Sequence, residues 1–297
     1  MDKEVLDKHR KAGNISAEAL AYARKIIKPG MKLLEATEMI EQKIFDLGGQ
    51  LAFPAQISRN HIAAHYCAKP HDETLLEDGD ILKVDIGAHV DGYVADTAIT
   101  VDLGDHKELV KASREALENA IKLVKAGVTV GEIGRAIQEA ITRYGYSPIR
   151  NLSGHGVGRW IIHQAPSIPN IDTGSKTALQ EGMVIAIEPF ATNGAGLIYE
   201  QEDAEVFTLE GKRPVRNMIT RQVLKEIQQF NGLPFCTRQL CKKNSPAKVA
   251  FALKEIDAMG MLHKFPPLPD KNKGLVSQHE HTMIVGEKKA EVITLIE

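Results

Sequence analysis

The sequence predicts an α+β fold made by an interrupted internal duplication, and three observations predict it. Shifting the chain against itself by 97 positions lays residues 19–48 on 116–145 without a gap, with ten of thirty positions identical. A β-rich segment ending on an acid follows each copy, at 78–85 and at 181–188. A basic, proline-rich segment then interrupts the second copy before its last acid, Glu280. Self-similarity at a fixed offset marks a repeated supersecondary unit.

Each copy opens with two amphipathic helices, joined across Lys28-Pro29-Gly30 in the first and Lys125-Ala126-Gly127 in the second. Residues 81–101 then read as two β-rich runs around Asp91-Gly92, a two-residue hairpin signal. In that register Asp85 faces Ala98, and Asp96 lies two places further along the partner strand on the same face. The two acids are therefore diagonal cross-strand neighbours. In the second copy Glu188 ends the apolar run 183–187, immediately before Pro189, where a strand stops. Glu280 lies inside a strand expected over 276–285. Alternation puts it on one face with Gln278 and Thr282, while His279 and His281 point the other way.

Each copy thus supplies two carboxylates, Asp85 with Asp96 and Glu188 with Glu280. Paired acids in a core repel one another unless one keeps its proton or a cation lies between them. A pseudo-two-fold axis relating the copies would bring all four together. Four carboxylates with one histidine suit two harder divalent ions rather than a structural zinc. The candidate histidine is His155 in Ser153-Gly154-His155-Gly156-Val157-Gly158, where glycines allow close backbone approach. By itself a Gly-His-Gly histidine is an ordinary loop residue, and this glycine spacing is not a dinucleotide fingerprint.

Composition bounds the class. The chain has 297 residues, 43% apolar, with 37 Lys+Arg against 39 Asp+Glu for a net charge of −2. These proportions exclude disordered, collagenous and coiled-coil chains and predict one large or two medium domains. Cys67, Cys236 and Cys241 are an odd number at no zinc-like spacing, which predicts unpaired thiols in a reducing compartment. The charged N-terminus lacks an apolar signal core and no run is long enough to span a bilayer, so a cytoplasmic protein without membrane contact is expected. Residues 207–275 carry 13 Lys+Arg and 5 Asp+Glu, a net +8, and six of the thirteen prolines. The expected organisation is an interrupted main domain over 1–200 and 274–297. Residues 201–273 would form a small subdomain with helices near 220–230 and 247–259. Its charge suits either a solvated face or ribosomal or other RNA.

The segments KVDIGAHVDGYVADTAITV, LSGHGVG, AIEPFATNGAG and QHEHTMIV, in this order and spacing, resemble the methionine aminopeptidases of the pita-bread metallopeptidase fold. The resemblance covers nearly the whole chain. The insert, IAAHY and HQAPSIPN resemble the type II subfamily in its short, archaeal-like form without an N-terminal extension. It implies two divalent ions (Co, Mn, Fe, Ni or Zn) held by Asp85, Asp96, His155, Glu188 and Glu280. Asp96 and Glu280 would bridge them, Asp85 would serve one ion, and His155 with Glu188 the other. It further implies that Glu188 shuttles a proton, and that His65 and His163 bind the scissile amide and oxyanion. Phe53 and Ile162 match pocket positions for the methionine side chain. Without the family, these two histidines read equally as packed ones, and Phe53 and Ile162 as core. The implied reaction releases N-terminal methionine from peptides and nascent chains, by a monomer that meets the ribosome through its basic insert. One departure is His279, where the family often has Phe. Two other functions share the scaffold: Xaa-Pro peptidases, which usually carry an additional N-terminal domain, and non-catalytic nucleic-acid-associated relatives, which tend to lose metal ligands.

Overall fold

In the computed structural model, which describes residues 2–295, the first copy comprises α1 (Lys3–Ile26), α2 (Leu33–Asp46), β1 (Gln50–Arg59), β2 (Ile81–Val90) and β3 (Tyr93–Asp102). The second comprises α3 (Lys107–Leu123), α4 (Val130–Arg143), β4 (Ser147–Pro148), β5 (Ser153–Gly158), β6 (Ile161–Pro169), β7 (Val184–Ile187) and β8 (Phe190–Thr192). The inserted segment holds β9 (Val206–Leu209), α5 (Met218–Ile227), β10 (Phe235–Cys236), α6 (Thr237–Cys241), α7 (Pro246–Ala258) and β11 (Leu262–Phe265). The chain then returns through β12 (Val276–Gln278), β13 (Glu280–Ile284) and β14 (Glu291–Val292).

The duplication is visible in backbone detail. Gly30 and Gly127 both adopt left-handed φ, +82° and +88°, which glycine alone adopts without strain. Their N–H groups donate to the carbonyls of Leu76 and Leu179, and bridges Lys32–Leu75 and Thr129–Ala178 follow at matching places. Thr129 starts α4 with a reciprocal capping box to Glu132. Asp2 caps α1 by accepting from the Glu4 N–H.

The main sheet is antiparallel, in the order β1-β2-β3-β13-β7-β5-β6 with β14 also pairing with β13. Its centre is the seam between the copies, where β3 meets β13 with Ala98 opposite Glu280. There the Asp96 N–H donates to Thr282 Oγ1 (2.9 Å), and that hydroxyl donates to the Asp96 carbonyl (2.7 Å). The helix pairs cover the sheet through fully buried Leu33, Ile40 and Ile44 in the first copy and Ile133, Ile137 and Ile141 in the second. Each such side chain contributes about 1.5–3 kcal/mol, so the sheet is rigidly backed where the acids project from it.

The hairpin has the expected register. Asp91 and Gly92 have φ of 51° and 86°, and Asp85 pairs with Ala98 while Asp96 pairs with Gly87. The expected single strand over 276–285 is two strands instead. β12 pairs with β8 in a separate small sheet, and the chain crosses at His279 to β13, between β3 and β7. The crossing leaves Gln278 and Glu280 on the same side. In the insert, helices α5 and α7 pack with strand β10-β9-β11 side chains around fully buried Val223, Phe235 and Ile256. Among the described residues no helix is long and apolar enough to cross a membrane, and Cys67, Cys236 and Cys241 are free.

Candidate metal centre

The seam of the sheet opens into a cavity of about 540 Å³ whose lining includes Phe53, His65, Asp85, Asp96, His155, Ile162, His163, Glu188 and Glu280. All nine residues singled out from the sequence therefore meet in one place. The five candidate metal ligands arrive on different pieces of the sheet: Asp85 on β2, Asp96 on β3, Glu280 on β13, His155 on β5, and Glu188 just past the end of β7. Glycine makes this possible at Gly154, where a Cβ would lie 2.3 Å from the Ala186 carbonyl oxygen. β5 and β7 approach that closely beside His155.

Asp96 and Glu280 are 4% and 1% exposed, while Asp85 and Glu188 keep some contact with solvent through the cavity. Burial raises the Asp85 carboxyl to about 7. Burial, reinforced by the neighbouring carboxylates, also pushes Asp96, Glu188 and Glu280 well above the usual carboxylate range. Burial and then the nearby His163 lower His155 to about 3, so its ring is neutral. His155 Nδ1 donates to the Gly156 carbonyl at 3.3 Å. Its Nε2 lone pair therefore faces Asp96 Oδ2 and Glu188 Oε1, each 3.7 Å away. A lone pair aimed at carboxylates is repulsive unless a cation lies between them. Asp85 Oδ1, Asp96 Oδ1 and Glu280 Oε1 are buried without a hydrogen-bond partner, a cost that native cores rarely accept. Asp96, His155 and Glu280 each offer an atom within 4.8 Å of the others. Oxygen donors with one imidazole nitrogen fit first-row divalent ions.

Two more imidazoles stand over this cluster. His163 meets the His155 ring edge-on at 4.4 Å. His65 has a left-handed backbone, φ +66°, and its N–H donates to Gln56 Oε1 at 2.9 Å. Burial lowers both rings to about 4, so each is a neutral hydrogen-bonding group. Phe265 of β11 lies between them, 5.5 Å from His65 and 5.9 Å from His163 by ring centroids. With Val206 and Pro234 it brings the inserted segment into the cavity wall. Phe53, Ile162 and Phe190 supply further apolar wall.

His279 and His281 face the opposite side of the sheet. Their Nδ1 atoms sit 2.9 Å from Ser113 Oγ and Thr294 Oγ1. Three site residues carried no role in the sequence: Gln56, Phe265 and Gln278. Gln56 pairs across the strands with Asp85, and Gln278 shares the Glu280 face, so strand register was the signal for both. Phe265 had none, because only the insert's tertiary path delivers it.

Known proteins fit this geometry. Over 295 residues the chain is 48% identical to a methionine aminopeptidase of Archaeoglobus fulgidus, covering 99% of this chain and 100% of that one. It is 47% identical to a methionine aminopeptidase of Thermococcus onnurineus, covering 96% and 97%. A crystal structure of methionine aminopeptidase from Thermotoga maritima superposes with a TM-score of 0.74 at 27% identity, covering 100% of this chain and 98% of that one. The half-barrel sheet flanked by paired helices is the pita-bread fold. Residues 7–225 match metallopeptidase family M24, and with relatives aligned from end to end, the chain belongs to that family of metal-dependent hydrolases.

Proposed function

We propose that this chain is a dinuclear metallo-aminopeptidase that releases the N-terminal methionine of peptides and nascent proteins. The observation that carries this is one cavity in which three acids each bury an oxygen without a partner, and a neutral histidine faces the carboxylates of Asp96 and Glu188. Asp85, Asp96, His155, Glu188 and Glu280 would hold the ions, and Asp96 and Glu280, the less exposed two of these four acids, would bridge them. When bound, the ions supply Lewis acidity and lower the pKa of an attacking water. Glu188, which keeps contact with the cavity, takes up the water's proton and passes it to the leaving nitrogen. His65 and His163 hydrogen-bond the scissile amide and the oxyanion as it forms. Phe53, Ile162 and Phe265 exclude water and receive the flexible thioether side chain.

Glu280→Ala tests the assignment. It should abolish methionine release from a Met-Ala-Ser peptide in a folded protein, and activity above about a tenth of the parent's refutes the bridging role. Preferential cleavage of Xaa-Pro bonds would instead favour a prolidase activity. Residues 201–273 act as a subdomain whose +8 charge over 207–275 suits ribosomal RNA near emerging chains. Lys242, Lys243 and Lys248 are exposed there. Neutralising them should weaken RNA binding and flatten its salt dependence; unchanged binding removes this role. The setting that fits these partners is the cytoplasm, with the enzyme acting as a monomer.

A further inference from the structure

Gln278 lies behind the cavity wall, against Glu188. It is fully buried and pinned to the first copy by its backbone. Its N–H donates to Thr100 Oγ1 (2.8 Å), and its carbonyl accepts from the same hydroxyl (2.7 Å). Its side chain reaches the other way. Nε2 donates to Glu188 Oε2 at 3.3 Å, and the same side chain lies near enough to Asp85 to counter part of the rise in its carboxyl pKa. These are the two non-bridging acids, one from each copy. An amide nitrogen is suited to both, because it carries two N–H donors in one plane and no charge. Its Oε1 is buried with no partner, a cost that an apolar side chain of similar size would avoid.

Resting on the dinuclear assignment above, we infer that Gln278 is a positioning residue: its amide holds Asp85 and Glu188 apart, each turned toward one ion, and so sets how tightly the pair of ions is taken up. It touches neither substrate nor reacting atoms. Groups that orient metal ligands from behind are worth roughly 10- to 100-fold in metal affinity.

The test is a calorimetric titration of the metal-stripped full chain with Mn²⁺, for the parent and for Gln278→Met. The expected result is Mn²⁺ uptake weakened roughly 10- to 100-fold in the variant. Its metal-free melting temperature should be no lower than the parent's, and its KM for a Met-Ala-Ser peptide unchanged at saturating Mn²⁺. A merely structural residue would lower the melting temperature and leave Mn²⁺ affinity intact. An isotherm matching the parent's within about twofold overturns the inference. Should Gln278→Met fail to fold, Gln278→Asn keeps the amide but shortens its reach, and is judged by the same isotherm. A parent that takes up no Mn²⁺ removes the dinuclear assignment itself. A parent that takes up two ions, matched by the variant, removes only the role of Gln278.

Discussion

Arg238 and Glu41, 197 positions apart, form a two-bond ion pair of 2.8 and 2.6 Å in which both side chains are almost fully buried. The pair fastens the inserted segment to α2 of the first copy, and Glu41 Oε1 also accepts from the Ala55 N–H of β1. Removing one member of such a pair strands a charge away from water, which costs more than the pair contributes. Arg238→Met should therefore lower unfolding stability by about 3–5 kcal/mol, and adding Glu41→Gln should recover part of the loss. Urea titrations of the single and double variants measure this, and a fully stable single variant contradicts it.

Removing metal should make stability fall with rising pH. Asp85 is held at about 7 in the fold against an ordinary value near 4. The native chain thus keeps a proton that the unfolded chain has released. That contribution is complete below about pH 4 and is lost as pH rises through about 7. Asp96, Glu188 and Glu280, also raised, extend the loss upward. Melting temperatures in chelator should drop from pH 5 to pH 8, and Mn²⁺ should cancel the drop. A flat metal-free profile would contradict the crowding of these acids.

Lys83 carries the opposite sign. Fully buried, it donates to the Asn60 carbonyl at 2.7 Å, and desolvation pushes its ammonium well below the ordinary value of 10.5. The unfolded chain therefore binds a proton that the fold resists, which lowers stability below about pH 10 and ceases to matter above it. Lys83→Met should raise the melting temperature by roughly 2–4 °C at pH 7, with the gain shrinking toward pH 10. The Asn60 carbonyl keeps the Val276 N–H as a partner. Equal gains at both pH values would show that packing, not charge, is responsible.

Gly154→Ala should disable the site without touching a ligand. The added methyl would lie 2.3 Å from the Ala186 carbonyl oxygen, forcing β5 away from β7 and moving His155. Mn²⁺ affinity and methionine release should fall together by at least about tenfold, the scale on which misplaced ligands act. Unchanged Mn²⁺ binding would mean the strands yield elsewhere.

Much of this was legible in the sequence because register is a counting problem. Once Asp91-Gly92 is a two-residue turn, Asp85 and Asp96 can only lie where they do. The repeat was legible from the ungapped match of 19–48 to 116–145, whose coincident glycines at 30 and 127 both take a left-handed φ. The break at His279 was not legible, since its cause is a change of partner from β8 to β13's neighbours. Phe265 was hidden for the same reason: its place between two imidazoles depends on how the insert docks through Arg238 and Glu41.

The position of β13 in the sheet orders events at birth. It is made after the insert, yet it is the middle strand that zips the two halves together and delivers Glu280. Until it has been made, β3 and β7 lack the strand that pairs between them, and Glu280 is missing from the cavity. On the metal-ligand assignment proposed above, the chain would therefore be inert through almost all of its own synthesis.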